Sequence, residues 1–113
     1  MPVFDPVADI RGTRNVTQMR TVYIECSGVR SVTEVWQRYI DAAVPARADL
    51  FGRNLDAFWD AIEGGGPGWP GEARLVFQHS SELALLQLEN GASFLDGLRR
   101  IACEATQTPI ELA

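Results

Sequence analysis

The sequence predicts a small α/β fold: a three-stranded parallel sheet packed with about four helices, in the order β-α-α-β-α-α-β. Three observations lead there. Short apolar runs stand at Thr21–Cys26, Ala73–Phe77 and Pro109–Leu112, and the β-branched and aromatic residues of the first two are what buried strands favour. Between them lie segments with apolar residues at i, i+3, i+4 and i+7, the period of an amphipathic helix. Strands separated by such segments pair in parallel, because a parallel pair needs a long crossover where an antiparallel pair needs only a tight turn. At 113 residues the chain holds one core.

Residues 1–18 hold Pro2, Pro6 and Gly12 and keep no sustained period. They read as an N-terminal extension, allowing one short strand near Val7–Ile10, and residues 19–113 read as the domain. The first strand ends at the Ser27-Gly28 turn. Ser31 stands three residues before Glu34, the capping-box pattern. Val32, Val35, Trp36, Tyr39, Ile40 and Ala43 then form one stripe until Pro45 stops the helix. Residues 46–51 read as loop. Asn54 is placed to cap a second helix with the stripe Leu55, Phe58, Trp59 and Ile62. The run Gly64-Gly65-Gly66-Pro67-Gly68 ends it. After the second strand, Ser80 or Ser81 is expected to cap a short third helix carrying Leu83 and Leu86 towards Asn90-Gly91. A fourth helix spans Ala92 to about Thr106, with Phe94, Leu95, Leu98, Ile101, Ala102 and Ala105 inward.

Ten basic residues, all arginine, stand against fifteen acidic ones, a net charge of −5. Nucleic-acid binding needs a basic footprint that displaces counterions, so this balance argues against it. Anionic membrane leaflets repel the same charge. No signal-type leader and no run of about 20 apolar residues is present. Cys26 and Cys103 fit no metal or redox spacing. The expectation is a cytoplasmic protein with two reduced, mostly buried thiols, no metal and no cofactor.

Catalytic groups are few. The one histidine, His79, has no placed nucleophile or carboxylate partner in the sequence, and Ser80-Ser81 beside it is explained as a cap. The glycine run follows a helix and lacks a GK[ST] ending, so it is a connector rather than a phosphate loop. The protein is therefore expected not to be an enzyme. The second helix is more informative. Asp56, Asp60 and Glu63 fall at i, i+4 and i+7 beside its apolar stripe. Like charges at this spacing repel by roughly 0.2–0.5 kcal/mol per pair, and only Asp56 gains from the N-terminal dipole. Four readings remain open: a solvated face, a cation site short of a third ligand, a carboxylate pair for proton transfer, or a face aimed at cationic groups of another protein.

The string Leu50-Phe51-Gly52-Arg53-Asn54-Leu55-Asp56-Ala57-Phe58-Trp59-Asp60-Ala61 is similar to the signature of the barstar family, G-x-N-L-D-A-L/F-W-D. Val29-Arg30-Ser31 before the first helix and Glu89-Asn90-Gly91-Ala92 before the fourth extend the resemblance over Thr21 to Leu112. It implies a three-stranded parallel sheet with four helices. It also implies an intracellular, stoichiometric inhibitor of immunity or antitoxin type, acting 1:1 on a secreted, barnase-like microbial ribonuclease or toxin nuclease domain. By resemblance Asp60 enters the enzyme's phosphate-binding site and Asp56 supports it. Asn54 and the Gly64 backbone shape the edge of that surface, Leu50 adds an apolar contact, and Glu63 shares the acidic stripe. The chain departs from the family at Leu50, where tyrosine is frequent, and at Gly65, where the family's namesake has tryptophan. It departs again at Arg100 or Ile101, where a fourth-helix glutamate stands; Glu63 and Glu104 are the acids available to compensate. A second reading keeps the domain as a binding module that docks another basic protein without inhibiting a nuclease.

Overall fold

The computed structural model describes residues 19–113. Strands β1 (Arg20–Glu25), β2 (Ala73–Gln78) and β3 (Ile110–Leu112) and helices α1 (Val32–Ala43), α2 (Leu55–Gly64) and α3 (Phe94–Glu104) follow in the order β1-α1-α2-β2-α3-β3. Two 3-10 turns, Ala48–Leu50 and Ser80–Leu85, complete the order. The sheet runs β1-β2-β3 and both pairings are parallel. Val22 lies opposite Leu75, and Leu75 opposite Ile110. The expected order and sheet are thus the observed ones; the strand allowed near Val7–Ile10 lies outside the described residues.

Strand alternation puts Val22, Ile24, Leu75 and Phe77 into the core. Helix α1 adds Val35, Trp36, Tyr39 and Ala43, all fully buried. The Trp36 ring is the hub. It stands 5.2 Å from Phe58, 5.6 Å from Phe51 and Phe94, and 6.5 Å from Tyr39, mostly edge-on. Phe58 then meets Phe77 of β2 edge-on at 6.1 Å. Such contacts add about 0.5–1.5 kcal/mol each beyond the area they bury. One cluster therefore joins α1, α2, α3, β2 and the segment before α2.

Local chemistry moves several boundaries. The loop expected over residues 46–51 contains the 3-10 turn, entered through Arg47 in the left-handed region. The third helix is a 3-10 turn that ends at Leu85, and its first cap is His79 rather than a serine. Ser80 is otherwise engaged: its Oγ donates to the Ala113 carbonyl at 3.0 Å, extending the β3 end of the sheet. Residues 87–93 fold back instead of continuing the helix, with Gln87 bridged to Ser93. Helix α3 starts at Phe94, not Ala92, because Ser93 supplies the side-chain acceptor that an alanine lacks (Asp96 N–H to Ser93 Oγ, 3.2 Å). Both thiols are free, but only Cys26 is buried; Cys103 is exposed on α3. Burial raises the Cys26 thiol to about 11, so it stays an inert proton-bearing group.

The glycine run has a structural requirement at Gly68. Its φ is +94°, and a Cβ there would lie 2.6 Å from Phe51 Cδ1. The buried Tyr39 hydroxyl donates to the Gly68 carbonyl at 2.7 Å, and burial pushes that phenol far above its ordinary value, keeping it a donor. Tyr39→Phe should therefore cost about 1–2 kcal/mol in urea unfolding, the penalty of a buried carbonyl left without its partner. Gly68→Ala should cost more, since strain and clash add.

Candidate functional site

Helix α2 is fixed before it can bind anything. At its start, Asn54 Oδ1 accepts from the Ala57 N–H at 2.7 Å, the expected cap. At its end, Gly65 takes the left-handed conformation (φ +74°) and donates to the Ala61 carbonyl at 3.1 Å. Buried Thr108 Oγ1 donates to the Ile62 carbonyl at 3.1 Å, tying the last turn to the segment between α3 and β3. Phe58, Ala61 and Ile62 face the core, and Trp59 is half-buried. The opposite side is left to the acids.

Asp56 and Asp60 are both exposed, and neither takes a hydrogen bond or an ion pair from a side chain among the described residues. Asp56 stands in the first turn, where the helix dipole favours it. Asp60 lies against the glycine loop. A Cβ on Gly64 would be 3.4 Å from Asp60 Oδ1, and one on Gly66 would be 3.1 Å from Oδ2. Gly64 and Gly66 thus place no side chain of their own over the carboxylate. The Gly65 and Gly66 N–H groups donate to the Asp60 backbone carbonyl, not to its carboxylate.

The structure places five of the sequence-derived positions on α2 or at its ends and on the turn before it. Asp60 lies beside Gly64, Asp56 stands one turn earlier on α2, Asn54 caps that helix, and Leu50 is 63% exposed on the 3-10 turn before it. Glu63 is used differently. Its carboxylate accepts from the Thr106 N–H at 2.9 Å, from the Gln107 N–H at 3.3 Å, and from the Thr106 hydroxyl. These bonds hold its pKa below the ordinary 4.5. It stitches α2 to the α3–β3 segment, with little acceptor capacity left over.

Two links escaped the sequence reading. Arg47 Nη2 donates to the Gly65 carbonyl at 3.3 Å, and residue 46 exchanges backbone bonds with the glycine loop (Ala46 N to Trp69 O 2.9 Å, Gly68 N to Ala46 O 2.8 Å). The segments before and after α2 therefore flank it as a pair; only the glycines hinted at so close an approach. On α3, Ile101 packs into the core with only an edge towards solvent, while the Arg100 side chain is exposed. It lines a groove with Asp56, Trp59 and Glu104.

His79 sits apart, exposed at the end of β2, with Nδ1 2.5 Å from Glu25 Oε2. Glu25, held below 4.5 chiefly by Ser27 and then by His79, ties the ends of β1 and β2 together. Among the described residues no group of three or more His, Cys, Asp or Glu is placed to hold a metal ion. No helix among them is long and apolar enough to cross a membrane.

Residues 19–113 match the family described as Barstar (barnase inhibitor). No curated protein matches the chain.

The Glu63 stitch has a pH signature. Its folded pKa is depressed, so the stability it contributes is complete above about pH 4.5 and is lost as pH falls through the folded value. Glu63→Gln should lower the urea midpoint at pH 7, and the gap to the parent should shrink below pH 4.5. A gap independent of pH would remove the carboxylate from this role.

Proposed function

The chain belongs to the barstar family, and we propose that it is a stoichiometric inhibitor of a barnase-like microbial ribonuclease, closing the enzyme's cationic active site with Asp60 and Asp56. The family itself is one of barnase inhibitors. The observation that carries the reading to this chain is the Asp60 carboxylate, without a side-chain partner among the described residues and exposed on a helix anchored at both ends and bordered by glycines.

An enzyme that cleaves RNA must hold phosphate, and it does so with arginine, lysine and protonated histidine. A carboxylate offers such groups two acceptor oxygens, in bonds roughly twice as strong as those between neutral partners. Asp60 stands in the second half of α2, where the dipole works against an anion. Among the described residues no side chain bonds to its carboxylate, so a cationic partner relieves a disfavoured charge and displaces none of them. Asp56 adds a second acceptor four residues earlier. Asn54 and the Gly64 backbone border the contact, and Leu50 supplies apolar area next to it. Immobilising α2 in advance reduces the ordering cost of association.

The protein acts by occupying a site, so one molecule neutralises one enzyme. The reading places it in the cytoplasm of a cell that makes the ribonuclease and must survive it. Docking of some other basic protein is the competing use of the same face. Titration of barnase with the protein while RNA cleavage is followed separates the two: activity should fall linearly to zero at a 1:1 ratio. Unchanged cleavage at excess protein would reject the inhibitor reading.

Asp60→Ala should weaken the complex by about 2–5 kcal/mol, chiefly through faster dissociation, and Asp56→Ala by less. Thermal melts of both variants should stay close to the parent, since neither carboxylate holds the fold. Association should slow steeply between low and physiological salt, while dissociation changes little.

A further inference from the structure

We infer that Arg100 is a selectivity residue: it narrows the ribonucleases the acidic face accepts by opposing those that bring a cation over the groove between α2 and α3. The inference rests on the inhibitor reading above and concerns which enzymes satisfy it.

The groove encloses about 340 Å³. Leu55, Asp56 and Trp59 form its α2 wall, and Gly97, Arg100 and Glu104 line the α3 wall. Gly97 lets the helices come this close, because a Cβ there would lie 2.5 Å from Leu55 Cδ1. The groove is continuous with the site through Asp56, so a partner seated on the acids of α2 also covers Arg100.

Arg100 is not neutralised in place. Its side chain is 79% exposed, and its Nε reaches Glu104 Oε2 only at 3.5 Å. A pair so exposed contributes little, and it occupies one edge of the guanidinium while neither Nη group has a partner among the described residues. Asp56 does not pair with it. The two walls of one groove therefore present opposite charges, an acceptor from α2 and an uncommitted donor fork from α3.

This polarity constrains the partner. The surface of a ribonuclease around its phosphate site is rich in cations. One that fits Asp60 and Asp56 but carries a cation above Arg100 brings like charges together as water leaves, a substantial penalty. One that carries a carboxylate there can accept a bidentate pair from the open fork. The preferred enzyme thus combines a cationic centre with an acidic or neutral rim where α3 approaches.

Barnase is the probe. Its dissociation constant is measured at physiological salt with the parent, Arg100→Gln, Arg100→Glu, Arg99→Glu, and Asp60→Ala in the parent and Arg100→Glu backgrounds. Arg99 is exposed one residue away, pairs with Asp96 and does not line the groove, so Arg99→Glu makes the same net-charge change elsewhere. Arg100→Glu should bind barnase about tenfold tighter or more, Arg100→Gln should fall between it and the parent, and Arg99→Glu should stay within about threefold of the parent. Equal gains from Arg99→Glu and Arg100→Glu would reduce the effect to overall charge and overturn the inference. So would tighter binding by neither, or no detectable binding by any protein. Asp60→Ala tests the underlying reading separately: if it binds as well as its parent in both backgrounds, the α2 site fails whatever Arg100 does.

Discussion

The packing around Trp36 is the constraint on which the other features depend. A three-stranded sheet is too small to bury a core by itself, so the helices must supply most of the apolar volume. Here one indole ring meets aromatic rings from the segment before α2, from α2 and from α3, with Tyr39 beside it and Phe77 behind Phe58. The geometry is directional, since edge-on rings hold their angle as well as their distance. Phe58 fixes the rotation of α2 about its axis. That rotation decides that Asp56 and Asp60 point to water, because they occupy the faces Phe58 and Ile62 leave free. The acidic face follows from the aromatic core.

Rotation alone would leave α2 free to fray, and its ten residues are too few for a stable isolated helix. Its two ends are held by different parts of the chain. Asn54 closes the first turn locally, while Thr108 reaches Ile62 and the Glu63 carboxylate gathers Thr106 and Gln107 from the far side of α3. One member of the acidic stripe is thereby spent on architecture, and the other two stay available. The charge pattern i, i+4, i+7 looks uniform in sequence, yet three residues of one helix divide into an anchor and a pair of open acceptors.

That division marks where sequence reading stops. Periodicity revealed α1, α2 and the buried strands, because a stripe of apolar residues has one way to be buried. The Ser31 and Asn54 caps were legible for the same local reason, and the Asp56–Asp60 spacing was visible as a face. What stayed hidden depends on residues distant in the chain. Nothing near Glu63 announces Thr106, and nothing near Ser80 announces the Ala113 carbonyl that takes its hydroxyl from capping duty. The Ser80–Leu85 turn has the sequence pattern of a helix, because Leu83 and Leu86 keep a spacing that both geometries satisfy. Cys103 defeated a composition rule: cysteines are usually buried, but its position on α3 lies outside the stripe of Phe94, Leu95, Leu98 and Ile101. That Arg100 is exposed while its neighbour Ile101 is buried needed the same information.

The exclusive use of arginine has a physical consequence for the acidic face. Arg20 Nη2 bridges the carbonyls of Ala43 and Pro70, and Arg38 Nη1 reaches those of Glu25 and Ser27. Arg47 is bonded to Gly65 and Arg53 to Gln37, while Arg74 pairs with Glu111 on the neighbouring strand. A planar fork of five donors suits such cross-links, and its weaker hydration makes partial burial against the backbone less costly than for an ammonium. These five arginines, committed to carbonyls and to partners elsewhere, are not available to fold over onto α2. A mobile lysine near Asp60 could do so and screen the carboxylate within the protein itself. Among the described residues, Arg20, Arg38, Arg47, Arg53 and Arg74 are thus engaged where they stand, and the Asp56 and Asp60 carboxylates of α2 take no side-chain partner and are exposed.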